Sequence, residues 1–263
     1  MPLKNRSFRY FIIFTFFLFG STNASARELS ADATLSLFQA SILKSDTKDF
    51  IAVGKSLAVA ALHFHRKQWL ELGGVAATTG LLFQLDSATK IFSLDHQNST
   101  NNFIFNADHF YGNGYTVLGT MGLYGAGYLL RNEKLRFLGL QTAEAAGYAG
   151  SLTVALKILL GRRRPFGGDN PFYFKPFQIN NLYNSLPSGH TTVAFAVSTV
   201  MAKSCSNRYW KMFWYSAAAL VAASRIYHNQ HWVSDVFLGG AIGYSVGSFV
   251  VHFDGAKTVR PPY

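Results

Sequence analysis

The chain has 263 residues, of which 49% are hydrophobic and 14% charged, against about 25% charged in an ordinary soluble domain. With 24 Phe and 23 Gly, this composition points away from a soluble domain and toward a membrane helical bundle with small residues at helix contacts. The net charge of +11 lies between apolar runs, with no nucleic-acid motif and no basic stripe on a soluble face. Nucleic acid is therefore not an expected partner, and anionic lipid headgroups and membrane topology account for the charge. Cys205 is the single cysteine, which excludes an intrachain disulfide.

Residues 1–26 read as a secretory signal. Lys4, Arg6 and Arg9 precede an apolar run over 10–20, and Ala24, Ser25 and Ala26 form a small-residue cleavage site. An uncleaved anchor is the alternative, and either implies export, most simply in a bacterium. Residues 27–68 are expected to be an N-terminal extracytoplasmic segment, loose over 27–49 with a short helix. Its apolar stretch 50–65 is short and interrupted by Lys55, so it fits an interfacial helix or a short span. Residues 69–85 form a better span, with Asp86 just beyond it. The polar loop 87–113 carries Asp95, His96, Asp108 and His109. Sequence-adjacent side chains rarely converge on one ion, so no metal site is expected there.

Residues 115–130 are a glycine-rich span, 131–136 a basic turn, and 137–160 a long helix containing Glu144, an unusual residue at membrane depth. Residues 166–185 form an aromatic-rich loop, read either as packed on its own rings or as a lip touching an acyl or prenyl chain. Helices follow over 190–203, 212–224 and 236–253. The last carries Gly239, Gly240, Gly243 and Gly247 at close-packing spacing. The expected architecture is all-α: a transmembrane bundle of about six core helices over 69–253, followed by a tail, 254–263.

Three stretches carry chemistry. In SRIYHNQHWVSD (224–235), His231 and Asp235 are four apart, so a helix places them on one face. A carboxylate at one imidazole nitrogen fixes the tautomer and leaves the other as a nucleophile. Arg225 can clamp an anion with its planar fork. The alternative is a histidine and an aspartate merely exposed at a helix end. KILLGRRRP (157–165) ends one apolar run and supplies Lys157 and Arg164. LPSGH (186–190) opens the next, where Ser188 and Gly189 leave helix N–H groups pointing at an anion and His190 is placed to donate a proton. Three cations, an N–H nest, a nucleophile with its acid and a general acid describe phosphoryl transfer through a phosphohistidine.

These three stretches, in this order and without substitution at the defining positions, resemble the signature of the type 2 phosphatidic acid phosphatase (PAP2) superfamily. The resemblance implies a PAP2/haloperoxidase-like six-helix bundle with its site near one membrane face. It implies that Lys157, Arg164, Arg225, Ser188 and Gly189 bind phosphate, that His231 attacks phosphorus, that Asp235 orients it, and that His190 protonates the leaving oxygen. No metal or other cofactor is implied. Arg162 and Arg163 lie outside the signature and are expected at most to add electrostatic pull, while Tyr227 and His228 are expected to line the wall. The implied substrate is a membrane lipid phosphomonoester or diphosphate: phosphatidic acid, a prenyl diphosphate, phosphatidylglycerophosphate or a lipid A phosphate. The rival readings are a periplasmic non-specific acid phosphatase, a vanadate-dependent haloperoxidase and a non-catalytic membrane scaffold.

The topology lets the three motifs meet on one side, with one conflict: if residue 27 is exported and Arg66 and Lys67 are cytoplasmic, the short stretch 50–65 must cross the membrane. A hairpin of the fourth and fifth core helices returns the third motif to the side of the first two. Arg131, Lys134, Arg136, Lys203, Arg208 and Lys211 fall on the opposite side, which the positive-inside rule makes cytoplasmic. The expected location is the inner membrane, with the site facing the periplasm.

Overall fold

The computed structural model describes residues 24–258. The signal-like residues 1–23 and the tail residues 259–263 lie outside the described residues. The chain divides after Asp49 into two compact units. The first contributes the helical stretch 24–49 of α1 (Ala24–Ala60). The helix expected within 27–49 runs through the whole stretch, which has no Pro or Gly to interrupt it and is rich in Ala, Leu and Ser.

The second unit is helical throughout its regular structure, and no strand occurs among the described residues. After α1 come α2 (Arg66–Leu82), the short helices α3 (Asp86–Asp95) and α4 (Ser99–Ile104), and α5 (Gly114–Leu129). The long α6 (Glu133–Leu160) is followed by the irregular loop 161–188, then α7 (Gly189–Ser204), α8 (Arg208–Tyr227) and α9 (Val233–Thr258). The six expected core helices correspond to α2 and α5–α9. The polar loop 87–113, by contrast, is largely folded into α3, α4 and a 3-10 turn (Phe105–His109). Asn caps set many of the helix starts. Asn98, Asn113, Asn132 and Asn207 each accept a bond from a first-turn N–H of α4, α5, α6 and α8.

The core lies where α6, α7 and α9 meet. Ala145 and Ala149 of α6, Ala196 and Val200 of α7, and Val246 and Val250 of α9 form one buried cluster, closed by Val53. The α7/α9 contact is close because Gly239, Gly243 and Gly247 present no side chain to α7. A Cβ on Gly239 would stand 2.6 Å from the Ser188 carbonyl oxygen, and one on Gly247 2.7 Å from that of Ala196. These glycines bring the start of α9 against the start of α7, which is where two of the three motifs lie.

Two described helices are long and apolar enough to cross a membrane: Glu133–Leu160, and Val233–Phe253 of α9. Helices α2, α5 and α7 are shorter, at 17, 16 and 16 residues. At about 1.5 Å per residue they fall short of a hydrocarbon core about 30 Å thick.

Candidate active site

The site forms where α6 ends, α7 begins and α8 turns into α9. Helix α6 stops at Gly161, a left-handed residue (φ 59°) whose N–H bonds the Lys157 carbonyl. That stop puts Lys157 in the last turn and throws Arg162, Arg163 and Arg164 into the loop. The loop is held in register by backbone bonds from Arg163 N–H to Tyr173 O (3.0 Å), Arg164 N–H to Leu182 O (2.9 Å) and Ser185 N–H to Arg162 O (3.0 Å). Ser188 caps α7, and its own N–H bonds the Asp235 carbonyl at 3.0 Å. The second and third motifs are therefore joined through the backbone.

His231 and Asp235 are 2% and 0% exposed. Their contact, Nδ1 to Oδ2, is 3.5 Å, longer than a well-formed hydrogen bond. The carboxylate is nevertheless fixed. Its Oδ1 accepts from Arg162 Nη1 at 2.6 Å, and its Oδ2 accepts from Ser185 Oγ at 2.5 Å and the Trp232 N–H at 2.9 Å. The Trp232 bond is half of a capping box, in which a carboxylate in the first turn reaches back to the N-cap amide. The imidazole therefore has its Nδ1 edge toward Asp235. Burial, reinforced by Lys157 and Arg164, pushes the His231 imidazole well below its ordinary value, while Asp235 pulls the other way. Neutral His231 is the form present at neutral pH.

The expected phosphate-binding residues gather around this pair. Lys157 Nζ donates to the Asn184 carbonyl and lies 3.4 Å from that of Ser185. Gly189 stands beside it, since a Cβ there would be 3.7 Å from Lys157 Cε. Arg164 is 8% exposed and held by Asn184 Oδ1 and Gln230 Oε1, each at 2.9 Å. Burial and the neighbouring Arg225 push its guanidinium down to about 10, so it stays cationic at neutral pH. Ser188 is fully buried, and its Oγ accepts from Thr191 at 2.9 Å, which leaves its own hydroxyl proton to donate. His190, in the first turn of α7, faces the charges of Arg225, Asp108, Arg164 and Lys157. All eight residues singled out in the sequence thus converge.

Several residues of the site are not legible as such in the sequence. Asp108 is 3% exposed and ion-paired with Arg225. It also lies 3.3 Å from His109 Nδ1 and 3.9 Å from His228 Nε2. Arg162 is fully buried between Asp86 and Asp235. This corrects the expectation that it adds pull on an anion, because two carboxylates neutralise it behind the site. Arg163 stacks on Tyr173, with its guanidinium carbon 4.4 Å from the ring centre. Tyr227 and His228 do line the wall: Tyr227 donates to Asn102 Oδ1 at 2.6 Å and His228 Nε2 meets the Phe105 carbonyl at 3.0 Å. The local clue that exists is an acid at a span end in Asp86, since a carboxylate there needs a partner.

The 166–185 loop packs partly on a ring outside itself. Phe172 and Phe174 stack on Phe83, while Phe177 and Ile179 are 72% and 85% exposed. Glu144 is fully buried on α6.

The PAP2 superfamily profile matches residues 138–258, a stretch containing all three motifs. The lipid A 1-phosphatase of Porphyromonas gingivalis is 31% identical over 133 residues. That match takes in 50% of this chain but 27% of the relative, so the chain spans about a quarter of that protein's length. Two solved structures share the fold. LpxE of Aquifex aeolicus superposes with a TM-score of 0.51 at 24% identity, covering 64% of this chain and 95% of that one. The first transmembrane PAP2-type phosphatidylglycerolphosphate phosphatase from Bacillus subtilis superposes at 0.53 with 22% identity, covering 81% and 95%.

Proposed function

We propose that this chain is a membrane phosphatase that removes phosphate from a lipid phosphomonoester or diphosphate through a phosphohistidine. The observation that carries the reading is the buried, neutral His231, with Asp235 at its Nδ1 edge and Lys157 and Arg164 facing it. With Nδ1 turned to the carboxylate, Nε2 is the nucleophile. It forms a bond to phosphorus as the ester P–O bond breaks. The electron pair stays with the leaving oxygen, which takes a proton from His190; burial and Arg225 hold that imidazole at about 4, and the arriving phosphate's negative oxygens raise it so that it carries the proton. Lys157, Arg164, Arg225, the Ser188 hydroxyl and the Gly189 N–H hold the non-bridging oxygens as charge develops. Water then attacks phosphorus and gives its proton to His190, and the P–N bond breaks to release phosphate and the imidazole.

The cations supply the charge neutralisation that divalent metal provides in other phosphatases. Activity is therefore expected to survive EDTA. Lipid A phosphate heads the substrate series, on the strength of the 31% identical lipid A 1-phosphatase. The exposed rings of Phe177, on the 161–188 loop, and Phe103, on α4, at 72% and 82%, favour a substrate with acyl chains over a soluble ester. The charge distribution of the turns favours the inner membrane with the site on the periplasmic side.

The test is phosphate release by the detergent-purified protein in EDTA, on lipid A, phosphatidylglycerophosphate, a prenyl diphosphate and an aryl phosphate, with His231→Ala alongside. Release from a lipid that vanishes in the variant is the expected result. Release from the aryl ester alone returns the acid-phosphatase reading, and undiminished release by His231→Ala rejects the phosphohistidine.

A further inference from the structure

The group behind Asp235 uses no signature position other than Asp235 itself. Arg162 Nη1 meets Asp235 Oδ1 at 2.6 Å, and Arg162 Nη2 meets Asp86 Oδ2 at the same distance. Ser234 ties the ends together. Its hydroxyl is 2.7 Å from Asp86 Oδ2 and 2.7 Å from Arg162 Nη1, and its N–H bonds Asp86 Oδ1 at 3.0 Å. Arg162 Nε and Nη2 also donate to the Pro171 carbonyl at 2.9 and 2.8 Å. Asp86, Arg162, Ser234 and Asp235 are each 0% exposed. Phe83 covers the guanidinium at 4.0 Å.

Such a group is costly to bury, since each charge loses its hydration. A structural ion pair needs one carboxylate for one guanidinium, yet here two carboxylates share one cation. The cluster carries one net negative charge, and one of its members faces the His231 imidazole at 3.5 Å. From this geometry we infer that Asp86 and Arg162 are positioning residues for the reaction, acting through Asp235. Asp86 balances Arg162, so that Asp235 keeps its negative charge for the imidazole. Arg162 and Ser185 together fix the plane of the Asp235 carboxylate. The inference rests on the proposed reading of His231 as the nucleophile. Burial pushes the Asp86 carboxyl up, and the donors from Ser234 and Arg162 oppose that push.

The sign of the effect follows from charge. When Asp86 becomes neutral, Arg162 is balanced by Asp235 alone and the net negative charge is lost. The positive charge that grows on the imidazole during attack is then less stabilised, so kcat falls. The same loss disfavours protonated His231, whose other charged neighbours are Lys157 from α6 and Arg164 from the loop. Its titration, and the acid limb of kcat, move to lower pH.

The experiment compares full-length wild type with Asp86→Asn, which keeps the side chain's shape and removes its charge. The readouts are the titration of His231 by histidine-selective NMR, assigned with His231→Ala, together with kcat, KM and the pH profile. The expected result is a lower His231 midpoint and a kcat reduced about 10- to 100-fold at a KM within about threefold of wild type, the size seen when groups behind a functional imidazole are removed. Ser234→Ala, which deletes one hydroxyl from the network, is expected to move the same quantities in the same direction by less, and it serves alone if Asp86→Asn does not fold. An unchanged His231 midpoint in the folded variant overturns the inference, whatever happens to its thermal stability. If wild type releases no phosphate, the phosphatase reading fails separately, and the NMR titration still decides whether Asp86 acts on His231.

Discussion

At the scale of single residues, the environments of His231 and Asp235 differ in the way their proposed roles require. His231 is buried among cations and stays neutral, while Asp235 is surrounded by donors from Arg162, Ser185 and Trp232. His231→Ala is expected to lower turnover by about a thousandfold or more, because a covalent step has no substitute nucleophile. Asp235→Asn is expected to lower kcat on the order of a hundredfold to ten-thousandfold, through a mis-set tautomer, with folding retained. Steady-state kinetics on the purified variants, with circular dichroism as the control for folding, checks both. A depressed His231 also has a pH signature. The folded protein binds this proton less tightly than the unfolded chain, so His231 costs stability only below the ordinary imidazole value of about 6.5. Thermal unfolding in detergent should show stability falling as pH drops from about 6.5, with no contribution from this group above it. The acid limb of activity assigned to His231 should lie below that same value.

At the scale of elements, two contacts set the site's shape and can be tested apart from the chemistry. The α7/α9 contact needs residues without side chains at 239, 243 and 247. Gly247→Leu should destabilise the fold by about 1–3 kcal/mol or more, since the Ala196 carbonyl opposite is backbone and cannot swing away. Asn132→Ala, at the start of α6 and remote from the motifs, should cost only about 1 kcal/mol and leave kcat unchanged. Differential scanning fluorimetry in detergent separates the two. The contrast between α3–α4 and its expected loop also belongs to this scale. A window of polar residues reads as a loop, yet Ser93 and Gln97 bond the backbone carbonyls of Ile226 and Tyr227, so the segment is ordered against α8. Lys90 extends that attachment to the next loop, bonding Pro165 O and Asp169 Oδ1 at 2.7 Å each.

At the scale of the whole chain, the proposed topology places Cys205, between α7 and α8, on the side opposite the site. As the single cysteine, it reports orientation without engineering. In intact spheroplasts an impermeant maleimide should leave Cys205 unlabelled until the membrane is opened. A cysteine introduced as Asn170→Cys on the exposed loop near the site, in a Cys205→Ser background, should be labelled at once. The reverse pattern places the site in the cytoplasm and removes periplasmic lipid phosphates as substrates.

Much of this protein is readable from one strand of residues. The apolar runs locate α2 and α5–α9 because burial against neighbours or lipid needs contiguous apolar length. The three motifs single out Lys157, Arg164, Ser188, Gly189, His190, Arg225, His231 and Asp235 as candidates, because the chemistry proposed for them depends on residue type and on short, fixed spacing. Asp86, Asp108 and the true place of Arg162 are of another kind. Arg162 meets partners 76 and 73 positions away, and Asp108 meets Arg225 across 117. Nothing local distinguishes a buried, neutralised arginine from its neighbours in a basic run, or a paired aspartate from one in a polar loop. Which charges are spent on each other and which remain for a ligand is settled by burial and distance, and these exist only once the helices have packed.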